Sequence, residues 1–377
     1  VLNDYRTPGQ LVEALLIERG FDKQVLAAVL GVDNAIVSRI ISGKKRVDAE
    51  LAIALSEVLE TPPERFMDLQ QAYDLATART VTRPDTGRAH RAALLAAFPV
   101  AEMGRRGWLK VESVRDFAQV EAELAKFFGV ATPAEIEIFP HAAKRTNTAE
   151  PATPSQLAWI QRVQQIASDM VVPAYSRAAT LQAIENLKLL LRSAEEARKV
   201  PRILAEAGIR FVLVEPLKSA KIDGVCVWLD DISPVIGMSL RFDRIDNFWF
   251  VLRHELEHVL REHGRTNIML DDLVGERAGT SANVPQEERA ANEVAADFCV
   301  PARFLDQFIA RKAPLFTQRD MLGFANTIQV HPGLVAGQLQ QRTDRYDLFR
   351  EHLVKIRSII APSAMVDGWG DIAPTRA

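Results

Sequence analysis

Five consecutive residues, His254-Glu255-Leu256-Glu257-His258, restrict this 377-residue chain more than any other stretch. Histidines four apart project from one face of an α-helix, where both imidazoles can reach a single zinc ion. The glutamate beside the first lies where it can take a proton from water held at that ion. The pattern is one of peptide hydrolysis, and it works only on a helix. Phe248, Trp249, Val251, Leu252, Leu256, Val259 and Leu260 give the segment apolar sides, and Gly264 stands where a helix C-cap is expected. A surface helix with two incidental histidines is the competing reading. Glu257 faces away from the histidines and is expected to be structural.

A catalytic zinc takes three protein ligands and keeps a fourth position open. Arg261 and Gly264 occupy the places where the extended metzincin pattern requires Gly and His, so a carboxylate must be sought further along. Residues 286–298 read as a helix with an apolar stripe through Ala291, Val294, Ala295 and Phe298. Glu293 falls on the opposite side with Arg289 and Asp297 and is expected in solvent. Glu287 and Glu288 both border the stripe, and the helical period does not choose between them.

The first 80 residues follow another plan, short helices separated by turn chemistry. Helices are expected from Thr7-Pro8-Gly9 to Gly20, from Asp22 to Gly31 with Val25, Leu26, Val29 and Leu30 on one side, and from Asp33 or Asn34 to Ser42. Two more are expected from Ala49 to Leu59 and from Phe66 to Leu75. Gly31 can supply a left-handed corner between two short helices, and Lys44-Lys45-Arg46 follow the second, as suits a unit that lays its second helix in the DNA major groove. A helical bundle with a solvated basic corner is the alternative on pattern alone. From Asp33 to Arg46 the cations Arg39, Lys44, Lys45 and Arg46 face a single acid, although the first 80 residues together are acidic. Affinity for one half-site should therefore be modest, and a homodimer is expected.

Composition sets the outer limits. Hydrophobic residues are 48% of the chain and charged residues 25%, as in ordinary globular proteins, so sizeable cores can be buried. At roughly 150 residues per domain the length implies two or three domains. Lys plus Arg number 46 against 49 Asp plus Glu, a net charge of -3, so any DNA contact must come from a local patch. Cys226 and Cys299 lie far apart in no CxxC arrangement, which argues against a disulfide framework and for a reducing cytoplasm. No apolar run approaches the roughly 18 residues of a membrane span, and the first residues show no basic segment followed by an apolar stretch, so the chain is expected to be neither inserted nor exported.

The organisation expected is a helix-turn-helix bundle at 1–79, a linker at 80–91, a helical middle region at 92–200 with a loop at 140–154, a zinc domain at 201–345, and a C-terminal helix and loose tail at 346–377. Within the zinc domain, 209–214, 224–229 and 234–240 are short β-branched runs bounded by Gly and Pro, as strands would be. The fold class is mainly α with a small β-sheet (α+β). The 234–240 strand is expected to offer its edge to an extended peptide. Trp228 and Trp249 are expected in the core, His331 in a structural turn, and His90, His141, His263 and His352 on the surface.

Two families share these motifs. The run from Val25 to Val32, followed by Ile36-Val37-Ser38-Arg39-Ile40-Ile41-Ser42-Gly43-Lys44, resembles the phage-repressor helix-turn-helix family. Pro8-Gly9, Asp68-Leu69-Gln70 and Tyr73-Asp74-Leu75 resemble its antitoxin branch, over about residues 5–78. The resemblance implies base reading on a double-stranded DNA operator by Asn34, Ala35 and Ser38, with Arg39, Lys44, Lys45 and Arg46 on phosphates. Asp22-Lys23 stand where relatives usually carry Ser-Gln.

Asp246-Asn247-Phe248-Trp249-Phe250 leading into His254–His258, then Glu288-Arg289-Ala290-Ala291-Asn292 with Phe298 and Pro301, resembles the ImmA/IrrE family of zinc metallopeptidases. Ile328 to Val335 resembles its C-terminal part, so the likeness covers about residues 200–345. It implies a zincin-like domain in which His254 and His258 bind zinc and Glu255 is the general base. Glu288 is then the third ligand, Asn292 one turn on supports it, and Glu287 is held in reserve. Relatives often have Glu in place of Ala290 and Phe in place of Val294. Together the resemblances imply a cytoplasmic transcription regulator that cuts a repressor or antitoxin-type partner in stress, phage or toxin–antitoxin control. A toxin-like protein is a further partner, and single-stranded DNA an activator that only the family suggests. The alternative is a non-enzymatic antitoxin or sensor that uses the zinc fold as a binding platform.

Overall fold

Polar caps and left-handed glycines divide the first stretch of chain into five helices: α1 (Pro8–Arg19), α2 (Lys23–Leu30), α3 (Asn34–Ile41), α4 (Ala49–Leu59) and α5 (Pro63–Val81). Side chains of Thr7, Asp22 and Asp48 accept a backbone N–H three residues on and so start α1, α2 and α4. Gly20 and Gly31 end α1 and α2 at φ 69° and 65°, a backbone that glycine adopts without strain. Pro63 opens α5, where its missing N–H costs nothing, and the helix runs beyond the expected Leu75. Leu11, Val12, Leu26, Val37, Ile40, Leu55 and Phe66 are among the core of this unit. Val25 and Val29, expected beside Leu26 on the inner face, are exposed instead, because an eight-residue helix buries one narrow stripe and Leu26-Ala27 occupy it.

The computed structural model describes residues 5–82, 85, 87–132, 135, 143–145, 152–263, 268–271 and 286–371, with 143–145 and 268–271 described by their backbone. His141, Gly264, Pro374, the linker residues Arg83, Pro84 and Thr86, and most of the expected 140–154 loop lie outside the described residues. Two compact units divide the chain, Val1–Ala89 and His90–Ala377. No single described helix is long and apolar enough to cross a membrane.

After α5 come α6 (Arg88–Ala97), α7 (Val100–Arg105), α8 (Phe117–Phe128), β1 (Ala143–Arg145), α9 (Pro154–Ser168), α10 (Arg177–Leu190) and α11 (Val200–Glu206). The next elements are β2 (Arg210–Val214), β3 (Gly224–Trp228), β4 (Pro234–Met238), α12 (Ile245–Leu260), β5 (Ile268–Asp271) and α13 (Gln286–Cys299). Four helices, α14 (Ala302–Lys312), α15 (Gln318–Ile328), α16 (Pro332–Thr343) and α17 (Arg357–Ile360), precede β6 (Met365–Asp367). The strands form one mixed sheet in the order β1-β5-β3-β4-β2-β6. β3 runs antiparallel to both β4 and β5, and the remaining pairs are parallel.

Helices cover both faces of this sheet, which is why its strands read as short apolar runs rather than as alternating ones. Phe211, Leu213, Cys226, Trp228, Ile236 and Met238 face a core shared with α12. Val212, Val214, Val225, Val227 and Val235 face a second core shared with α8 and α9. Thr153 and Gln156 form a capping box at the start of α9, and Trp159 within it donates its indole N–H to Val214 O at 2.9 Å. The sequence left β4 free to present an edge to a peptide; in the sheet it is paired on both sides, to β3 and to β2.

The tail expected to be loose enters the sheet, since β6 pairs with β2 in parallel. Asp367 forms an ion pair with Arg162 of α9, both side chains being 1% exposed, and accepts Trp108 Nε1–H at 3.2 Å. Removal of one member of such a pair strands the other charge in a dry interior. Asp367→Ala is therefore expected to destabilise the second unit by about 3–5 kcal/mol, seen as a lower denaturant midpoint. Arg162→Met combined with Asp367→Leu should recover much of that loss.

Candidate metal centre and nucleic-acid interface

Nearly every side of α12 is apolar, so the helix is enclosed rather than laid on a surface. Phe248, Trp249, Val251, Leu252, Leu256 and Val259 are all buried against the sheet and the helices around it. His254, Glu255 and His258 are 0% exposed, which a surface helix with incidental histidines would not give. α13 packs on α12 through the stripe Glu288, Ala291, Ala295 and Phe298, and its two alanines permit close approach. Glu288 is thereby carried in beside the imidazoles.

His254 Nε2 lies 2.9 Å from His258 Nε2, and the two oxygens of Glu288 lie 3.3 Å from the first nitrogen and 3.4 Å from the second. One ligand atom from each residue can be chosen so that all lie within 4.8 Å of one another. Ligands about 2.0–2.1 Å from a tetrahedral zinc are separated by about 3.3 Å, so the observed spacing fits such an ion. The carboxylate oxygens of Glu288 make no hydrogen bond among the described residues, and a buried carboxylate needs a cation or donors to offset its lost hydration. Burial also decides what the helical period could not: Glu288 is buried, whereas Glu287 and Glu293 are exposed. Asn292 sits one turn on from Glu288, half-buried.

Glu255 occupies a notch in the sheet. A Cβ at Gly224 of β3 would overlap its carboxylate and come within 2.8 Å of Val251 Cγ1, so only glycine leaves room there. Sequence reading used Gly224 solely to bound a strand, and no local signal marks it as part of the site. Glu257, on the other side of α12, is held by Arg253 and Arg261 at 2.8 Å each. Burial pushes its carboxyl upward, but the two guanidiniums outweigh that and keep it below the usual range.

His263 was expected on the surface and is instead part of this cluster: its Nδ1 lies 2.9 Å from His258 Nδ1, and its Nε2 lies 3.9 Å from Glu287. Burial, and then the neighbouring His258, hold its imidazole below the ordinary pKa. Among the other histidines, His331 caps α16 by accepting Gly333 N–H at 3.0 Å, the turn role expected of it. His90 and His352 contact Glu121 and Gln318. Trp228 and Trp249 are both buried, as core residues.

In the N-terminal unit the chain turns through 114° between α2 and α3, within the roughly 90–120° of a helix-turn-helix. Val37 and Ile40 of α3 are buried, which leaves Asn34, Ala35, Ser38 and Arg39 exposed on the outer face. Lys44, Lys45 and Arg46 are exposed in the loop that follows. Helix α5 braces that loop. Gln70 accepts the buried Val47 N–H at 3.0 Å and donates to Asp74 at 2.9 Å, and Asp74 pairs with Arg46 at 2.5 Å. One of the four expected phosphate-binding cations is thus already engaged by an acid.

Comparison with known proteins divides the chain in the same way. Residues 12–66 match the Helix-turn-helix family, and residues 205–317 match the IrrE N-terminal-like domain. The chain is 31% identical over 71 residues to "Uncharacterized HTH-type transcriptional regulator YddM" of Escherichia coli K12, an alignment covering 19% of this chain and 76% of that protein.

The notch at Gly224 generates a direct test. Gly224→Ala should lower the stability of the second unit by about 1–3 kcal/mol through overpacking, read as a fall in the midpoint of denaturant unfolding.

Proposed function

This chain belongs to the helix-turn-helix family of transcription regulators and carries an IrrE N-terminal-like domain, and we propose that it is a DNA-bound regulator whose second unit is a zinc-dependent endopeptidase. The observation that carries the reading is the convergence of His254, His258 and Glu288, all fully buried, beside Glu255. These three residues would hold the ion. Bound there, zinc supplies Lewis acidity toward a water molecule and a peptide carbonyl.

The remaining chemistry belongs to the chain. Glu255 is the general base, and it hands the proton on to the leaving amine. Its carboxylate is fully buried and lies close against Gly224, where a side chain would displace it. Asn292, one turn on in α13, makes no hydrogen bond to Glu288, so its supporting role rests on family likeness alone. The substrate class proposed is a repressor or antitoxin-type protein in stress, phage or toxin–antitoxin control, in the cytoplasm. A toxin-like partner and activation by single-stranded DNA rest on family likeness alone.

At the DNA, Asn34, Ala35 and Ser38 read base edges while Arg39, Lys44 and Lys45 take phosphates, with Arg46 shared between phosphate and Asp74. So few cations per chain favour a homodimer on two half-sites one helical turn, about 34 Å, apart.

The test is incubation of the zinc-loaded full chain with the partner protein, followed by electrophoresis. Glu255→Gln should keep its zinc and cut roughly 100-fold or more slowly, and a chelator should stop cutting by the wild type. Equal cutting by the variant would refute the role of Glu255, and an intact partner with zinc-loaded wild type would leave the binding-platform reading in its place. For the DNA unit, Arg39→Ala and Lys44→Ala should each weaken operator binding and reduce its salt slope by about one.

A further inference from the structure

We propose that His263 is a positioning residue of the metal centre, accepting a hydrogen bond from Nδ1 of His258 and so fixing which nitrogen of His258 faces the ion. The proposal rests on the metal-binding part of the reading above and is independent of peptidase activity. A neutral imidazole carries one N–H, and a nitrogen that binds a metal must be bare. His258 turns Nε2 toward His254 and Glu288 and Nδ1 toward His263. Its hydrogen must then sit on Nδ1 and be donated across the 2.9 Å to His263 Nδ1. His263 in turn carries its own hydrogen on Nε2, the nitrogen that faces Glu287 at 3.9 Å, where negative charge favours it. Were that hydrogen on Nδ1 instead, two N–H groups would confront each other, and one ring would have to turn away.

The backbone holds His263 in place independently of its ring. Its N–H donates to His258 O at 2.9 Å, and its carbonyl accepts Trp228 Nε1–H at 2.9 Å and Cys226 Sγ–H at 3.6 Å. Trp228 and Cys226 lie on β3, the strand whose Gly224 makes room for Glu255. One strand therefore sets both the base and the support of a ligand. A side-chain substitution at 263 leaves all three backbone hydrogen bonds available, so its effect on metal binding can be separated from an effect on the fold.

The experiment measures zinc affinity of the full chain by competition with a chromophoric chelator, together with the visible spectrum of the cobalt-substituted protein and the unfolding midpoint of the metal-free protein. His263→Leu, which removes the acceptor, should bind zinc about 10–100-fold more weakly and alter the cobalt bands, at an unchanged metal-free midpoint. His263→Asn places an amide oxygen near the former Nδ1 and should restore most of the affinity and the wild-type spectrum. Wild-type affinity in His263→Leu would overturn the proposal, as would a His263→Asn protein as weak as His263→Leu, since packing rather than the acceptor would then matter. Failure of the wild type itself to bind zinc or cobalt would overturn the metal reading and this inference with it, a result distinct from a loss confined to the variants.

Discussion

A carboxylate withdrawn from water between two imidazoles is a costly arrangement, and the elements around it bring the three side chains together. Taking such a charge out of water costs several kcal/mol even after relaxation, and among the described residues the oxygens of Glu288 make no hydrogen bond that would offset the loss. Under the reading proposed above, close convergence with a cation would do so. That convergence requires α12 to be enclosed on all sides and α13 to approach it through small residues, Ala291 and Ala295. It also requires the sheet to yield at Gly224, where any larger residue would meet the Glu255 carboxylate. The site therefore stands on two helices and a strand rather than on loops, which suits a centre whose ligand atoms must stay within tenths of an ångström.

The far face of the same sheet is fixed by other means. There α9 buries Trp159 and Val163, and the Arg162–Asp367 ion pair links it to β6, so distant parts of the chain brace β2. β4 is paired on both sides and β3 is held between β4 and β5. β3, paired on both sides, in turn presents Gly224 to Glu255 and Trp228 to the His263 carbonyl. The chemistry of the near face thus depends on packing across the sheet, from residues that carry no chemical motif at all.

Local chemistry was legible in the sequence and long-range pairing was not. The α4 boundaries, Ala49–Leu59, agree with the helix read from residues alone, and Asp22, Gly20 and Gly31 cap or end helices where expected, because a cap or a left-handed glycine acts within one turn. The three central strands were equally plain from β-branched runs. Glu288 and Glu287 could not be told apart by period, since both border one stripe; burial against α12 separates them. His263 reads as a surface residue because it lies past the end of α12, five residues from His258, where helical spacing no longer predicts contact. Nothing in the middle of the chain announced that α9 would cover the sheet, nor anything near the end that β6 would join it, for sheet pairing between distant segments leaves no local trace. Val25 and Val29 followed the apolar pattern yet are exposed.

Metal content of the purified full chain, set beside that of Glu288→Ala, tests the central claim most directly. If the buried triad is a zinc site, elemental analysis will find one zinc per wild-type chain and little or none in the variant. An equal zinc content in the two proteins, or a wild type that takes up no zinc when supplied with it, would contradict the account.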